Sequence, residues 1–594
     1  MIASLPPGMI LLIGSLLLPL LKGRIQAAWL LLLPALSLLH LVSLPQGNTG
    51  EWSLFSCQLT LVRIDSLSQI FGFVFHLAAF LSALYALHVR DTTQHVAAMV
   101  YAGSAMGAVF AGDLLTLFVY WEITAVSSVF LIWSSRTESA YHAGMRYLVI
   151  QVGSGVLLLS GILLHFNETG SLAFNRLIGS DGQLLSASPA VFLIFLAFGI
   201  KCAFPLLHNW LQDGYPQATV TGTVFLSAFT TKLAVYALAR GFAGTHLLIW
   251  IGLLMTLFPI FFAVIENDLR RVLAYSLNNQ LGFMVVGIGV GTAMSLNGTA
   301  AHAFAHILYK GLLFMSMGAV LYRAGTIKAS ELGGLYKSMP FTTVFCMIGA
   351  ASISAFPLFS GFVSKSLILS AVADKHQLVI WLGLLVASAG VMEHSGIKIP
   401  YFAFFAHDAG IRCKEAPWNM LLAMGITAAL CVLIGCLPQA LLYDWLPFID
   451  TGTGVQVRAA SVTPELDFQP YTSHHVVTQL QLLLFATMAF AILVRSGIYP
   501  PEIRSVNLDS DWFYRRPFLG TPNGGPSPVE RLSTWAQTLR QKTDTHVLTR
   551  LRQTEHLVRG FCSVYGRQTN SIRAMVVWVS VLLTAYLLLY YFYV

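Results

Sequence analysis

Charge is what this sequence has least of. Only 10% of its 594 residues are Asp, Glu, Lys or Arg, against about 25% in an ordinary soluble domain. No stretch between the apolar runs has the length or polarity of a soluble domain. The seven cysteines (Cys57, Cys202, Cys346, Cys413, Cys431, Cys436 and Cys562) stand singly. None forms a CxxC pair or alternates with histidine at metal spacing, so no metal site is expected and the cysteines read as small apolar residues. The "GIGVG" string near Gly287 lies inside an apolar run with no strand before it, which excludes a nucleotide loop. There is no Walker, haem or iron–sulfur motif, so no cofactor is expected and any redox chemistry belongs to a partner. The first apolar run, Met9 to Leu21, lacks a basic leader and a small-residue cleavage site, and reads as a retained span.

What remains is hydrocarbon: 56% of the residues are hydrophobic. Apolar runs of about 20 residues, the length that crosses a bilayer as helix, recur from end to end. The chain is therefore an all-α polytopic membrane protein. Sixteen spans are expected, centred near residues 15, 36, 77, 104, 123, 154, 199, 230, 256, 282, 310, 357, 392, 430, 486 and 583. Loops after odd-numbered spans, the last excepted, hold twelve Lys and Arg, and loops after even-numbered spans hold five. The segment between spans fifteen and sixteen adds twelve more. By the positive-inside rule the odd loops are cytoplasmic and both termini lie on the non-cytoplasmic side. From about Ser527 to Asn570, apolar residues at helical spacing alternate with arginine. That pattern fits an amphipathic helix on the cytoplasmic membrane surface, either a strap along neighbouring subunits or a basic helix resting on anionic lipid.

Two stretches read alike: "GIKCAFPLLHNW" from Gly199 and "SAFPLFSGFVSK" from Ser354. Pro205 and Pro357, 152 positions apart, each break a span. Spans seven and twelve are five apart and so cross in opposite directions, the signature of an inverted repeat. Five lysines fall inside apolar spans or at their breaks: Lys201, Lys232, Lys310, Lys365 and Lys398. Glu122 in "FVYWEITAV" does the same among acids. Each such charge facing lipid costs roughly 2.5–3.5 kcal/mol, so all six are expected to face the bundle interior. Lys232 reads as mid-span, with about ten residues of helix on either side. Its bland alternative is snorkelling; for Glu122 it is a carboxylate that fixes helix packing. His302, His306 and Lys310 in "AHAFAHILYKGLLF" follow at i, i+4 and i+8 and share one helix face. A zinc pair fits this row poorly, because no acid or thiol is near and Lys310 repels a cation. Histidine titrates near neutral pH, so a proton relay fits better than a metal site or simple core packing. Opposite charges 4 Å apart at an effective dielectric near 20 interact by about 4 kcal/mol. Movement of Glu122 against Lys201 would therefore load or unload a proton, with Lys232, the histidine row and Lys365 passing it on.

With these residues in place, the chain resembles the antiporter-like membrane subunits shared by respiratory complex I, Mrp-type cation/proton antiporters and membrane-bound hydrogenases. The resemblance rests on "WE" at Trp121–Glu122, "GIKCAFPLLHNWLQDGYPQA" from Gly199, "KLAVYALAR" from Lys232, "HAFAHILYKGLLFMSMG" from His302 and "SAFPLFSGFVSK" ending at Lys365. It implies a core of about fourteen helices with two inverted five-helix repeats, plus about two further C-terminal helices. The organisation expected is N-terminal helices over 1–95, the first repeat over 96–240, the second over 246–407, and C-terminal helices over 418–497. A cytoplasmic segment with the lateral helix (498–572) and a last span (573–594) would follow. The resemblance implies proton-relay roles for Glu122, Lys201, Lys232, His302, His306, Lys310 and Lys365. Lys232 and the limited C-terminal extension look most like the D-type subunit of Mrp antiporters. Glu393, His394 and Lys398 in "EHSGIKIPYFAFF" are an addition to that pattern and a possible extra relay. The function implied is proton translocation within a multisubunit Na⁺ or K⁺/H⁺ antiporter of the plasma (inner) membrane. The alternative is a proton-pumping membrane-arm subunit of a complex I-like oxidoreductase or a membrane-bound hydrogenase. On either reading this chain is a transport subunit with no catalytic residue of its own. Its partners are other membrane subunits, lipid, protons and monovalent cations, and no nucleic acid.

Overall fold

Nine helices begin at an Asp, Ser or Thr whose side chain caps the first turn. Asp65, Asp91, Asp113, Thr137, Ser188, Thr219, Asp268, Thr292 and Thr472 each accept a hydrogen bond from a backbone amide of the first turn that follows. Each cap satisfies one of the first-turn amides that the helix itself cannot pair. Three helices end on a left-handed glycine, at Gly170, Gly291 and Gly325, with φ of 67°, 70° and 77°, the conformation that frees the chain to turn.

The computed structural model describes residues 5–512 apart from 55–56, 180, 185–186, 452–453, 460–461, 463–467, 504–506, 508 and 511. The helices are α1 (Pro7–Ser15), α2 (Gly23–Ser43), α3 (Ser66–Tyr85), α4 (Thr92–Phe110), α5 (Leu114–Trp133), α6 (Glu138–Thr169), α7 (Pro189–Lys201), α8 (Asn209–Gln217), α9 (Val220–Ala228) and α10 (Thr230–Gly241). They continue with α11 (His246–Ile265), α12 (Leu269–Val290), α13 (Ala293–Ala324), α14 (Pro340–Ile353), α15 (Ser360–Asp374), α16 (Leu378–Val391), α17 (Lys398–Pro400), α18 (Trp418–Cys436), α19 (Pro438–Leu441) and α20 (Ser473–Arg495). Two short antiparallel hairpins, β1 (Gly47–Leu54) with β2 (Cys57–Ile64) and β3 (Phe448–Asp450) with β4 (Val455–Val457), lie in loops. Every expected span centre up to residue 486 falls in a helix, except that near 357, which falls at the expected break. The surface helix expected from about Ser527 and the span expected near 583 lie outside the described residues.

The loops sort onto two faces. On the hairpin face Arg63 donates to the Phe174 carbonyl at 2.6 Å, Arg240 pairs with Asp65 at 2.8 Å, and Asn297 donates to the Phe448 carbonyl at 2.8 Å. On the opposite face Arg136 pairs with Asp91 at 2.8 Å, Arg146 with Asp213 at 2.7 Å, Lys328 with Asp268 at 2.9 Å, and Lys337 with Asp408 at 3.0 Å. Loops after even-numbered spans meet at the first face and those after odd-numbered spans at the second, as alternating traversals require.

The inverted repeat is visible in backbone detail. Asp113 caps α5 and bridges to Ala173; Asp268 caps α12 and bridges to Lys328. Both offsets are 155 residues, and the two bridges lie on opposite faces. At the AFPL breaks the match is closer still. Cys202, Ala203, Phe204 and Leu207 donate their amides to the carbonyls of Phe198, Ile200, Gly199 and Phe204. Ser354, Ala355, Phe356 and Phe359, each 152 positions on, donate to Ala350, Ser352, Ala351 and Phe356. Ala203 and Leu206 have φ of 61° and 70°, and Ala355 and Leu358 have φ of 59° and 74°. Left-handed backbone costs a non-glycine residue roughly 1–2 kcal/mol, yet the same two positions adopt it in both breaks.

One expectation needs correcting. Lys232 does not sit in uninterrupted helix. Phe229, with φ −104° and ψ −65°, separates α9 from α10. No proline is involved. The Lys232 ammonium takes the Ser227 carbonyl at 2.6 Å, next to the gap.

Candidate functional site: a buried file of lysines and histidines

The side chains of Lys201, Lys232, His302, His306, Lys310, Lys365, His394 and Lys398 are sealed from the surface, none more than 1% exposed. An ammonium so placed must find oxygens or shed its charge. Lys201, the last residue of α7, donates to the Trp121 carbonyl at 2.6 Å and to the Thr124 hydroxyl at 2.9 Å, and lies 4.3 Å from the centre of the Trp121 ring. Lys232 uses Ser227. Lys365 donates to the Ile353 carbonyl at 2.9 Å, at the end of α14, and lies 5.0 Å from the Phe283 ring centre. Lys398 donates to the Val264 and Glu266 carbonyls, at 2.6 and 2.8 Å, where α11 ends. For Lys232, Lys365 and Lys398, broken or ended helices expose the carbonyls that hold the cation, whereas Lys201 is held by oxygens within α5. Lys310 is different: its ammonium has no hydrogen-bond partner among the described residues.

The histidine row lies along α13. His302 Nδ1 is 3.0 Å from the Ser364 hydroxyl and Nε2 is 3.2 Å from Gln280 Oε1, which also accepts from the Tyr309 hydroxyl at 3.1 Å. The His302 and His306 rings are 6.2 Å apart. Neither His306 nitrogen has a partner among the described residues. The charges of Lys232, Lys310 and Lys365 all act on His306, and those of Lys310, Lys365 and Lys398 on His394. Lys232, Lys310, Lys365 and Lys398 and the three histidines thus act on one another as one group, while Lys201 pairs with Glu122.

Glu122 stands apart from the expectation of a fully interior charge. It is half-buried on α5, at the edge of a cleft of about 820 Å³ lined by Pro19, Thr92, Val96, Val100, Val126 and Phe130. The Glu122 and Lys201 charges act on each other. Glu122 Oε1 points inward, buried and without a hydrogen-bond partner among the described residues. Gly155 makes its room: a Cβ built there would fall inside the carboxylate.

Sequence reasoning missed the polar side chains of α12. "YSLNNQLGF" from Tyr275 puts Ser276, Asn278, Asn279 and Gln280 in an apolar span, all of them fully buried. Gln280 orients His302, and Ser276 accepts from Ser395 at 2.7 Å, beside His394. Both amide atoms of Asn278 are buried without a partner among the described residues. Four neutral polar residues within one span were the available signal. Among the described residues no cluster of His, Cys, Asp and Glu has metal-binding geometry.

The geometry has counterparts in known proteins. Residues 111–392 match the family model described as NADH:quinone oxidoreductase/Mrp antiporter, TM. Hydrogenase-4 component B of Escherichia coli is 30% identical over 487 residues, covering 74% of this chain and 70% of that protein. This chain belongs to the NADH:quinone oxidoreductase/Mrp antiporter membrane family. The D-type Na⁺/H⁺ antiporter subunit of Alkalihalophilus pseudofirmus is 30% identical over 318 residues, 51% of this chain and 64% of that one. The A-type subunit from the same organism is 28% identical, and the match spans 53% of its length. Among solved structures, the Mrp complex from Dietzia sp. DQ12-45-1b superposes with a TM-score of 0.65 at 21% identity, over 74% of this chain and 95% of that one. An archaeal membrane-bound sulfane sulfur reductase superposes at 0.66 and 24% identity, over 74% and 95%. Family members thus share this antiporter-like fold across different assemblies, and this chain is a polytopic integral membrane protein of that kind.

Proposed function

We propose that this chain is the proton-translocating subunit of a multisubunit monovalent cation/proton antiporter of Mrp type, seated in the plasma membrane with other membrane subunits. The observation that carries the reading is the file itself. Glu122 acts on Lys201 at one end, and Lys232, His306, Lys310, His302, Lys365, His394 and Lys398 act on one another through the rest; a transfer from Lys201 to Lys232 joins the two parts. Placing so many charges in hydrocarbon is costly, and intramembrane ionisable chains are the hardware of proton relays. Glu122 and Lys201 form the loading pair, and Gln280 orients His302. The arginine- and lysine-rich face, where Arg136, Arg270 and Lys337 lie, is cytoplasmic on the positive-inside rule. Both termini then fall on the other side.

The match to hydrogenase-4 component B, over most of both chains, favours a second reading: a proton-pumping arm driven by redox partners. The whole assembly in proteoliposomes separates the two. A Na⁺ or K⁺ pulse that collapses an imposed pH gradient, with no electron donor present, supports antiport. A gradient that moves only when the partners turn over electrons supports the pump.

A further inference from the structure

The role of Lys398 is set by a carboxylate from far along the chain. Met392–Ile397 and Tyr401–Phe405 are both π-helical, with α17 between them. A π turn takes in one extra residue and re-aims the side chains that follow, and such turns concentrate at functional sites. Here it leaves both His394 and Lys398 fully buried. The Lys398 ammonium sits on the end of α11 and lies 2.9 Å from Glu502 Oε1, in a pair whose side chains are 0% and 7% exposed. Glu502 belongs to the chain beyond α20. Neighbouring contacts hold that chain down: Asn507 donates to Glu266 Oε2 at 3.0 Å, and Asp509 accepts from the Tyr275 hydroxyl at 2.9 Å and lies 3.2 Å from His208 Nε2.

The remaining titratable neighbours are few. Glu266 accepts from the Asn267 and Asp268 amides and lies 3.9 Å from Arg271. The Glu393 and Glu266 charges act on Lys398, and those of Glu502 and Glu393 act on the Tyr499 phenol. On the inner side His394 couples Lys398 to Lys310 and Lys365, and its Nε2 is buried without a partner among the described residues. Burial lifts the Glu502 carboxyl above the usual carboxylate range, even against the pull of Lys398. A carboxyl so shifted accepts a proton more readily than a surface glutamate.

A lysine at a helix C-terminus also has a purely structural role, capping carbonyls. Capping needs no partner carboxylate, and burying one is costly. We propose that Glu502 is the terminal proton acceptor of the file, taking its proton from Lys398 and exchanging it with water at this face. The step rests on the reading that the file carries protons. An N–H bond of the Lys398 ammonium breaks, an O–H bond forms on Glu502, and the ion pair becomes a neutral pair. Glu502 then releases the proton outward, and Lys398 recovers one from within through His394. Run in reverse, the same steps make an inlet.

Lys398→Arg separates the two roles, in proteoliposomes holding the whole complex. Arginine keeps the charge and the cap but does not give up its proton. Lys398→Arg and Glu502→Gln are each expected to assemble normally and to slow proton translocation at least tenfold. Glu502→Asp is expected to restore part of the rate with a shifted pH optimum. Translocation by Lys398→Arg within about twofold of wild type, with an unchanged pH profile, overturns the proposal and leaves a helix cap. Lys201→Met run alongside keeps the two claims apart. If it is inactive while Lys398→Arg is normal, only the outlet falls; if it too is normal, the file reading falls with it. Should Glu502→Gln fail to assemble, Lys398→Arg decides alone.

Discussion

The Lys365 ammonium donates to the carbonyl of Ile353, and Ile353 stands 152 positions beyond Lys201, the offset that relates the two AFPL breaks. The two halves therefore each set a lysine at this point of the broken helix, by its backbone in one and by its ammonium in the other. In the first half the lysine is the residue before the break. In the second it reaches back from the helix after it. What the repeat has kept is a lysine at the break, though only in the second half does its ammonium take the carbonyl that the break frees.

From this follows the first prediction. Lys201→Met and Lys365→Met remove buried charges and leave side chains of similar length, so the desolvation cost of each ammonium goes with it. Assembly and thermal stability of the complex should hold, while proton translocation in proteoliposomes falls by at least tenfold in each. A large loss of stability in either variant would point to a packing role.

Gly155→Ala makes a sharper test of Glu122, because it changes no charge. The added methyl occupies the space of the Glu122 carboxylate, so that carboxylate must turn toward the cleft and away from Lys201. Translocation should drop by about an order of magnitude with normal assembly. Gly153, on another face of the same helix, has open space for a Cβ, and Gly153→Ala should be silent in the same assay.

The breaks themselves carry strain. Ala203→Gly and Ala355→Gly place glycine at φ of 61° and 59°. Each should stabilise by about 1 kcal/mol, read as a rise of a few degrees in the melting temperature of the purified complex. Ala→Gly at Ala197, buried within α7, should do the opposite, since glycine weakens a helix interior.

Outside the spans, the Asp65 carboxylate makes a two-point contact with Arg240, at 2.8 and 2.9 Å, and lies 3.6 Å from Arg63. Burial alone would raise this carboxyl, but the Arg240 and Arg63 guanidiniums hold it down at about 2. Its folded pKa is below the unfolded value near 4. The stability it contributes is therefore complete above that value and lost as pH falls toward 2. Asp65→Asn should destabilise at neutral pH by on the order of 3 kcal/mol, because Arg240 is left buried and unpaired. It should also flatten the loss of stability between pH 4 and 2, measured by melting at a series of pH values.

Much of this was legible in the residues. Apolar length set the spans, and the repeated AFPL, with span parity, set the inverted halves. The cost of charge in hydrocarbon picked out Lys201, Lys310 and Lys365. Three features were hidden for physical reasons. The gap at Phe229 has no proline or glycine to announce it; it accompanies the capture of Ser227 by Lys232, a tertiary effect. The partial exposure of Glu122 depends on how α4 and α5 pack, which periodicity does not report. Glu502 is an ordinary acid in a polar stretch, and only the folding-back of the chain after α20 makes it the partner of Lys398. The amides of α12 were visible, but neutral polar residues are cheap enough in a helix bundle that charge alone drew attention.

Lys310 gives the most direct test of the whole account. Its ammonium is fully buried, has no hydrogen-bond partner among the described residues and lies 5.9 Å from the Phe314 ring centre, so nothing structural depends on its proton. Proton uptake by proteoliposomes containing the intact complex with Lys310→Met should be lost, with assembly and melting temperature unchanged or improved. Uptake at the wild-type rate would contradict the claim that buried lysines and histidines hand protons along this chain.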